Sequence, residues 1–147
     1  MFTSRTLLPL FTLLFGLLGF LSGCNKDNDS TSDPAPEITL TALTTAKSWR
    51  LDEIKQNNQT SSSGTGIKDR YTFTFRADGS YTQTLLADNT TYPGVWMLMS
   101  NNTMLHLVDH KGDSHAYTLT GLTAQQLRYR WTNKENKLEE FVFSAQP

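Results

Sequence analysis

One cysteine in 147 residues, Cys24, rules out an intrachain disulfide framework of the kind that staples small exported domains. Histidine is almost as scarce, with three residues, and charged side chains make up only 18% of the chain, so the raw material for acid-base or metal chemistry is thin. No Gly-x-Ser-x-Gly elbow is present, and the adjacent Glu139 and Glu140 point to opposite faces if they lie on a strand, so they cannot work as a carboxylate pair. The reading is therefore of a protein that is not an enzyme and needs no cofactor. Charge of one sign is also missing: 13 basic against 14 acidic residues argues against nucleic acid or anionic membrane surfaces as partners. A long apolar run is absent too. The longest, residues 7–20, has about 14 residues where a spanning helix needs roughly 20, and Pro9, Gly16 and Gly19 interrupt it.

What that short run does have is the layout of an export signal: Arg5 before it, and the small residues Ser22 and Gly23 after it. An uncleaved membrane anchor is the alternative. Leu21-Ser22-Gly23-Cys24 resembles the bacterial lipobox, in which the cysteine thiol is acylated, the preceding peptide bond is cut and the new amino terminus is acylated as well. The resemblance implies a lipoprotein signal peptide over residues 1–23 and lipidation of Cys24 with palmitate-type chains. It also accounts for an otherwise unpaired cysteine, the alternative being a free thiol. Each buried methylene contributes about 0.8 kcal/mol, so several chains on one residue hold a protein at a membrane without any spanning segment. Losing only Arg5 with the leader leaves 12 basic against 14 acidic side chains.

Residues 24–36 carry no apolar side chain able to anchor a core and end in Pro34-Ala35-Pro36, the composition of a disordered tether. Asn25 after the cysteine resembles the sorting rule that sends Gram-negative lipoproteins to the outer membrane. Lys26-Asp27 with Asp29 resembles signals for export to the cell exterior, and a plain solvated spacer fits equally. The protein is thus expected on the periplasmic or the outer side of that membrane. Residues 37–147 are long enough for one domain with one modest core.

Within that domain a short helix or turn over residues 37–47 leads into strands of period two. Trp49, Leu51 and Glu53 are placed on one face of the first strand, residues 48–56. Residues 57–69, rich in Ser, Asn and Gly, read as a long mobile loop. Tyr71, Phe73 and Phe75 alternate with threonines, Asp78-Gly79 marks a hairpin, and residues 81–86 run back. Further strands follow at 94–99, 103–109, 114–120, 126–131 and 138–145. Eight strands on short connections predict an all-β fold: an eight-stranded antiparallel up-and-down barrel, with a two-sheet β-sandwich as the alternative.

Lys47-Ser48-Trp49-Arg50-Leu51, the aromatic hairpin through Asp78-Gly79, and Gly94-Val95-Trp96 together resemble the lipocalin-like lipoproteins of bacteria. Lys47 stands where that family has glycine, and Arg128 or Arg130 is left to supply its tryptophan-stacking arginine. The resemblance implies a binding barrel. Inward positions carry Tyr71, Phe73, Phe75, Trp96, Tyr117, Tyr129, Trp131, Phe141 and Phe143. Seven of them, Tyr71, Phe73, Trp96, Tyr117, Tyr129, Trp131 and Phe141, are the candidate lining for a small apolar or amphipathic ligand. A closed core filled by the same rings is the other reading. It would leave an interaction module or inhibitor whose partner is another envelope protein.

His106, Asp109, His110, Asp113 and His115 have the side chains of a metal site but the spacing of a polar hairpin, so no metal is expected there. The Asn-x-Thr triplets at Asn58, Asn89 and Asn101 read as turns.

Overall fold

A computed structural model describes residues 40–147. The leader, Cys24 and the tether lie outside the described residues. The chain runs α1 (Leu40–Thr45), β1 (Ser48–Gln56), β2 (Gln59–Ser63), β3 (Tyr71–Phe75), β4 (Ser80–Leu85), β5 (Thr91–Met99), β6 (Met104–Val108), β7 (Ser114–Leu122), β8 (Gln126–Thr132) and β9 (Leu138–Gln146). From β3 to β9 each strand pairs antiparallel with the next, and β1 pairs with both β3 and β9. That closes an eight-stranded up-and-down barrel and removes the open sheet edges of the sandwich alternative. Among the described residues no helix is long and apolar enough to cross a membrane.

Tyr-Thr-Phe-Thr-Phe of β3 buries Phe73 and Phe75 while its threonines face outward, as period-two alternation requires. Gly79 takes φ +81° in the following turn, and the Asp78 carboxylate accepts the Ser80 N–H at 2.8 Å. The turn is thereby fixed. In β5, Trp96 faces the core while Val95, Met97 and Met99 are exposed outside.

Three expectations are corrected. The loop at 57–69 contains a strand: Asn57 and Asn58 take φ of 50° and 66°, the left-handed pair of a tight hairpin turn, and β2 folds back on Glu53–Gln56 of β1. Its sequence, Gln-Thr-Ser-Ser-Ser, has no apolar alternation to betray it. Glu53 does not share a face with Trp49 and Leu51. The ladder from β1 to β9 slips between Leu51 and Glu53, leaving Asp52 as the extra residue, so Ile54 packs inward and Glu53 turns out. Finally, β5 starts at Thr91 and passes through Pro93. Leu85 N–H donates to Thr90, and counting pairs from there makes Thr82 and Pro93 a pair without ladder bonds, so the proline costs none.

Beside the bulge, Asp52 gathers the guanidinium groups of Arg50, at 2.8 Å, and Arg70, together with the Ser144 hydroxyl. Arg70 Nε also donates to Leu51 O at 2.6 Å, where β1 has left β3 and not yet met β2. One end of the barrel is sealed by α1. Leu43 and Trp49 are fully buried there, and the Trp49 indole N–H donates to Leu43 O at 2.9 Å.

Candidate functional site

The seven candidate lining residues all come from inward positions, and the barrel brings them together as a column of touching rings. Trp96 meets Phe75 at 5.3 Å between centroids, Phe75 meets Phe73 at 5.4 Å, and Phe73 meets Tyr71 at 4.9 Å and Phe143 at 5.9 Å. Phe143 and Phe141 lie against Tyr129 at 5.2 and 5.3 Å, Tyr129 against Tyr117 at 4.5 Å, and Tyr117 against Trp131 at 6.1 Å. Tilted and edge-on contacts at these distances are favourable packing. They form one contacting cluster inside the barrel.

The polar ends of Tyr71, Tyr129, Trp96 and Trp131 have partners within the protein. The hydroxyls of Tyr71 and Tyr129 lie 3.3 Å apart. Burial raises the pKa of both, and pushes Tyr117 up to about 12, so all three stay neutral donors. Trp96 Nε1–H is shared between the carbonyls of Arg76, at 3.1 Å, and Ser80, at 3.0 Å, which ties β5 to the hairpin between β3 and β4. Trp131 Nε1–H donates to Glu139 at 3.0 Å. Glu139 also accepts from Asn133 at 2.9 Å. Glu140 lies on the outer wall, bound by Arg128 at 3.0 and 3.1 Å and by Thr120 at 2.9 Å. The two carboxylates do point apart, as adjacent strand residues must. Arg128 and Arg130 project outward, so neither stacks on a core tryptophan.

The histidine and aspartate run is used by the turn it spans. Asp109 accepts the N–H groups of Lys111 and Asp113 at 2.8 and 3.0 Å, His110 stacks on Tyr92 at 4.6 Å, and His106 contacts the Ser114 hydroxyl at 2.7 Å. Asn58, Asn89 and Asn101 all take positive φ in turns.

One groove lies on the outer wall. A groove of about 470 Å³ is lined by Ala116 and Thr118 of β7, Arg130, Trp131 and Thr132 of β8, and Leu138 of β9. Pairing explains why these meet: Thr118 is opposite Arg130, and Thr132 is opposite Leu138, all on outward positions. Of the seven candidates only Trp131 borders it, at an inward position between outward Arg130 and Thr132, with its ring against Tyr117. A second cavity, about 240 Å³, is lined by Thr65, Ile67, Asp69, Arg70, Leu86 and Ala87. The groove was missed in the sequence because it depends on which outward residues of three strands fall side by side, which only the register decides. No protein-family model matches this chain, and no curated protein matches it.

Proposed function

We propose that this chain is a lipid-anchored protein of the outer membrane of a Gram-negative bacterium, periplasmic or surface-facing, whose barrel binds a small amphipathic ligand and performs no chemistry on it. The observation that carries the binding half is the 470 Å³ groove, a volume within the roughly 300–1,000 Å³ of small-molecule sites, with both apolar and polar walls. Binding is assigned to the wall and not to the centre. A ligand in the interior would have to displace rings that already touch one another, whereas the groove needs no rearrangement. The anchoring half rests on Leu21-Ser22-Gly23-Cys24 and the polar segment after it. This design resembles the lipocalin-like lipoproteins in its strand motifs and differs from a hollow binding barrel in where the ligand sits.

Two measurements test this. Cys24→Ser should move the protein from the membrane fraction to the soluble fraction with its near-UV spectrum unchanged; a variant that stays with the membrane contradicts the anchor. Dodecyl maltoside, titrated below its micellar concentration, should change the amide resonances of Thr118 and Arg130 in the wild type and not in Leu138→Glu. An equal change in both would place the ligand elsewhere.

A second reading has its own support. Val95, Met97 and Met99 are 51%, 51% and 43% exposed along one line of β5. An apolar stripe of that kind on a barrel wall suits a protein partner from the envelope. Met97→Glu would abolish capture of such a partner and leave dodecyl maltoside binding intact.

A further inference from the structure

Resting on the binding reading above, we infer that the groove is selective for an anionic amphiphile, with Arg130 holding the acidic head and Leu138 and Ala116 receiving the apolar body. Among the described residues, every other arginine is already engaged. Arg50 and Arg70 hold Asp52, Arg76 donates to the Thr82 hydroxyl at 3.0 Å, and Arg128 takes Glu140. The Arg130 side chain has no hydrogen bond or ion pair among the described residues. Its planar fork of five N–H donors therefore faces the groove unspent, and such a fork fits the two oxygens of a carboxylate or phosphate.

The neighbours of Arg130 reinforce the choice. Thr118 lies directly across on β7 and Thr132 two residues along β8, and neither hydroxyl has a partner among the described residues. Both can donate to the same acidic head. Glu140 lies across on β9 and would repel an anion, but Arg128 already holds it at 3.0 Å. Two guanidinium groups against one carboxylate leave that part of the wall positive. Beside it, Leu138 and Ala116 give the hydrocarbon a surface without polar atoms in the side chains. A cationic head would meet Arg130 with nothing to offset it.

The shared chemistry, an acidic head on an apolar body, is found both in a free fatty acid and in an anionic lipid of a bilayer, and two arms of one experiment separate these sources. The Cys24→Ser protein is titrated by calorimetry with monomeric dodecanoate, dodecyltrimethylammonium and dodecyl maltoside. It is then sedimented with phosphatidylcholine vesicles with and without phosphatidylglycerol. Dodecanoate is expected to bind at least about tenfold more tightly than dodecyltrimethylammonium, and Arg130→Gln to remove that preference, the size of one lost charge-assisted contact. Raising salt should narrow the gap. Thr118→Ala with Thr132→Ala, which leaves Arg130 in place, should weaken dodecanoate and spare dodecyl maltoside.

Binding to phosphatidylglycerol vesicles that Arg130→Gln abolishes would also support the proposal and name the bilayer as the source. Equal affinity for all three amphiphiles, or a preference that survives Arg130→Gln, overturns the anion assignment while the binding reading stands. No binding of any amphiphile or vesicle overturns both.

Discussion

Gly94 shows how a single residue type is set by its surroundings. A methyl group added there would come within 2.4 Å of the Tyr81 ring and 2.5 Å of Val108 O, because Tyr81, opposite it in the ladder, lays its ring over the bare backbone. The ring then occupies the space the missing side chain would need. Gly94→Ala should cost about 1–3 kcal/mol in chemical denaturation, the range for overpacking a filled site. At Gly66 nothing lies within 4 Å of an added Cβ, and Gly66→Ala should be close to neutral. Equal costs at the two positions would mean the ring is free to move away. Gly-x-Trp was legible in the sequence as a motif, but the reason for its glycine lies on another strand.

Asp52 gives a second effect at this scale. Burial raises its pKa, but the hydrogen bonds of Arg50, Ser144 and Arg70 and the Arg50 charge outweigh burial and bring it below the ordinary 3.8. The hydrogen bonds of Thr120 and Arg128 likewise outweigh burial at Glu140 and bring it below 4.5. A carboxylate whose pKa is lower when folded adds stability above its unfolded pKa and loses it as pH falls through the folded one. Stability should therefore decline from about pH 4.5 downward. Asp52→Asn should lower stability at neutral pH and make the acid decline shallower. An unchanged acid slope in that variant would show that the Asp52 cluster contributes nothing to the linkage.

At the scale of elements, β3 and its hairpin were readable because aromatic and threonine residues alternate and Asp-Gly follows. β2 was not, because hydrogen bonds to β1 and two left-handed asparagines define it rather than apolar alternation. Asn57-Asn58 is the one local signal it carries. Since Asn58 sits at φ 66°, Asn58→Gly should keep or slightly raise the melting temperature, while Asn58→Val should lower it by the equivalent of about 1–2 kcal/mol, the left-handed cost of a residue with a Cβ. If the two variants melt alike, the hairpin turn is not as described. The bulge at Asp52 was equally hidden: it inverts the phase of β1, so strict alternation from Trp49 gives the wrong face for Glu53 and Ile54.

For the whole molecule, closure of the barrel was legible from eight short strands on short connections, and the inward set of aromatics from their period. How those aromatics meet was not legible, because it depends on how strands distant in sequence are brought together. Phe73 touching Phe143 and Tyr71 touching Tyr129 join the rings of β3 to those of β9 and β8 in one cluster. The groove is the consequence at the surface, where Thr118, Arg130 and Leu138 of three strands lie side by side. A ligand is therefore expected to touch the wall and leave the centre undisturbed.

Trp49 lies at the α1 end and Trp96 and Trp131 in the ring column, and each indole N–H has its own acceptor, whereas the Arg130 Nε–H at the groove has none among the described residues. These N–H resonances are followed while dodecanoate is added to the Cys24→Ser protein. The Arg130 signal should shift in a saturable way while those of Trp49 and Trp96 stay in place. A saturable shift of Trp96 or Trp49, with Arg130 unmoved, would put the ligand inside the barrel and contradict binding at the wall.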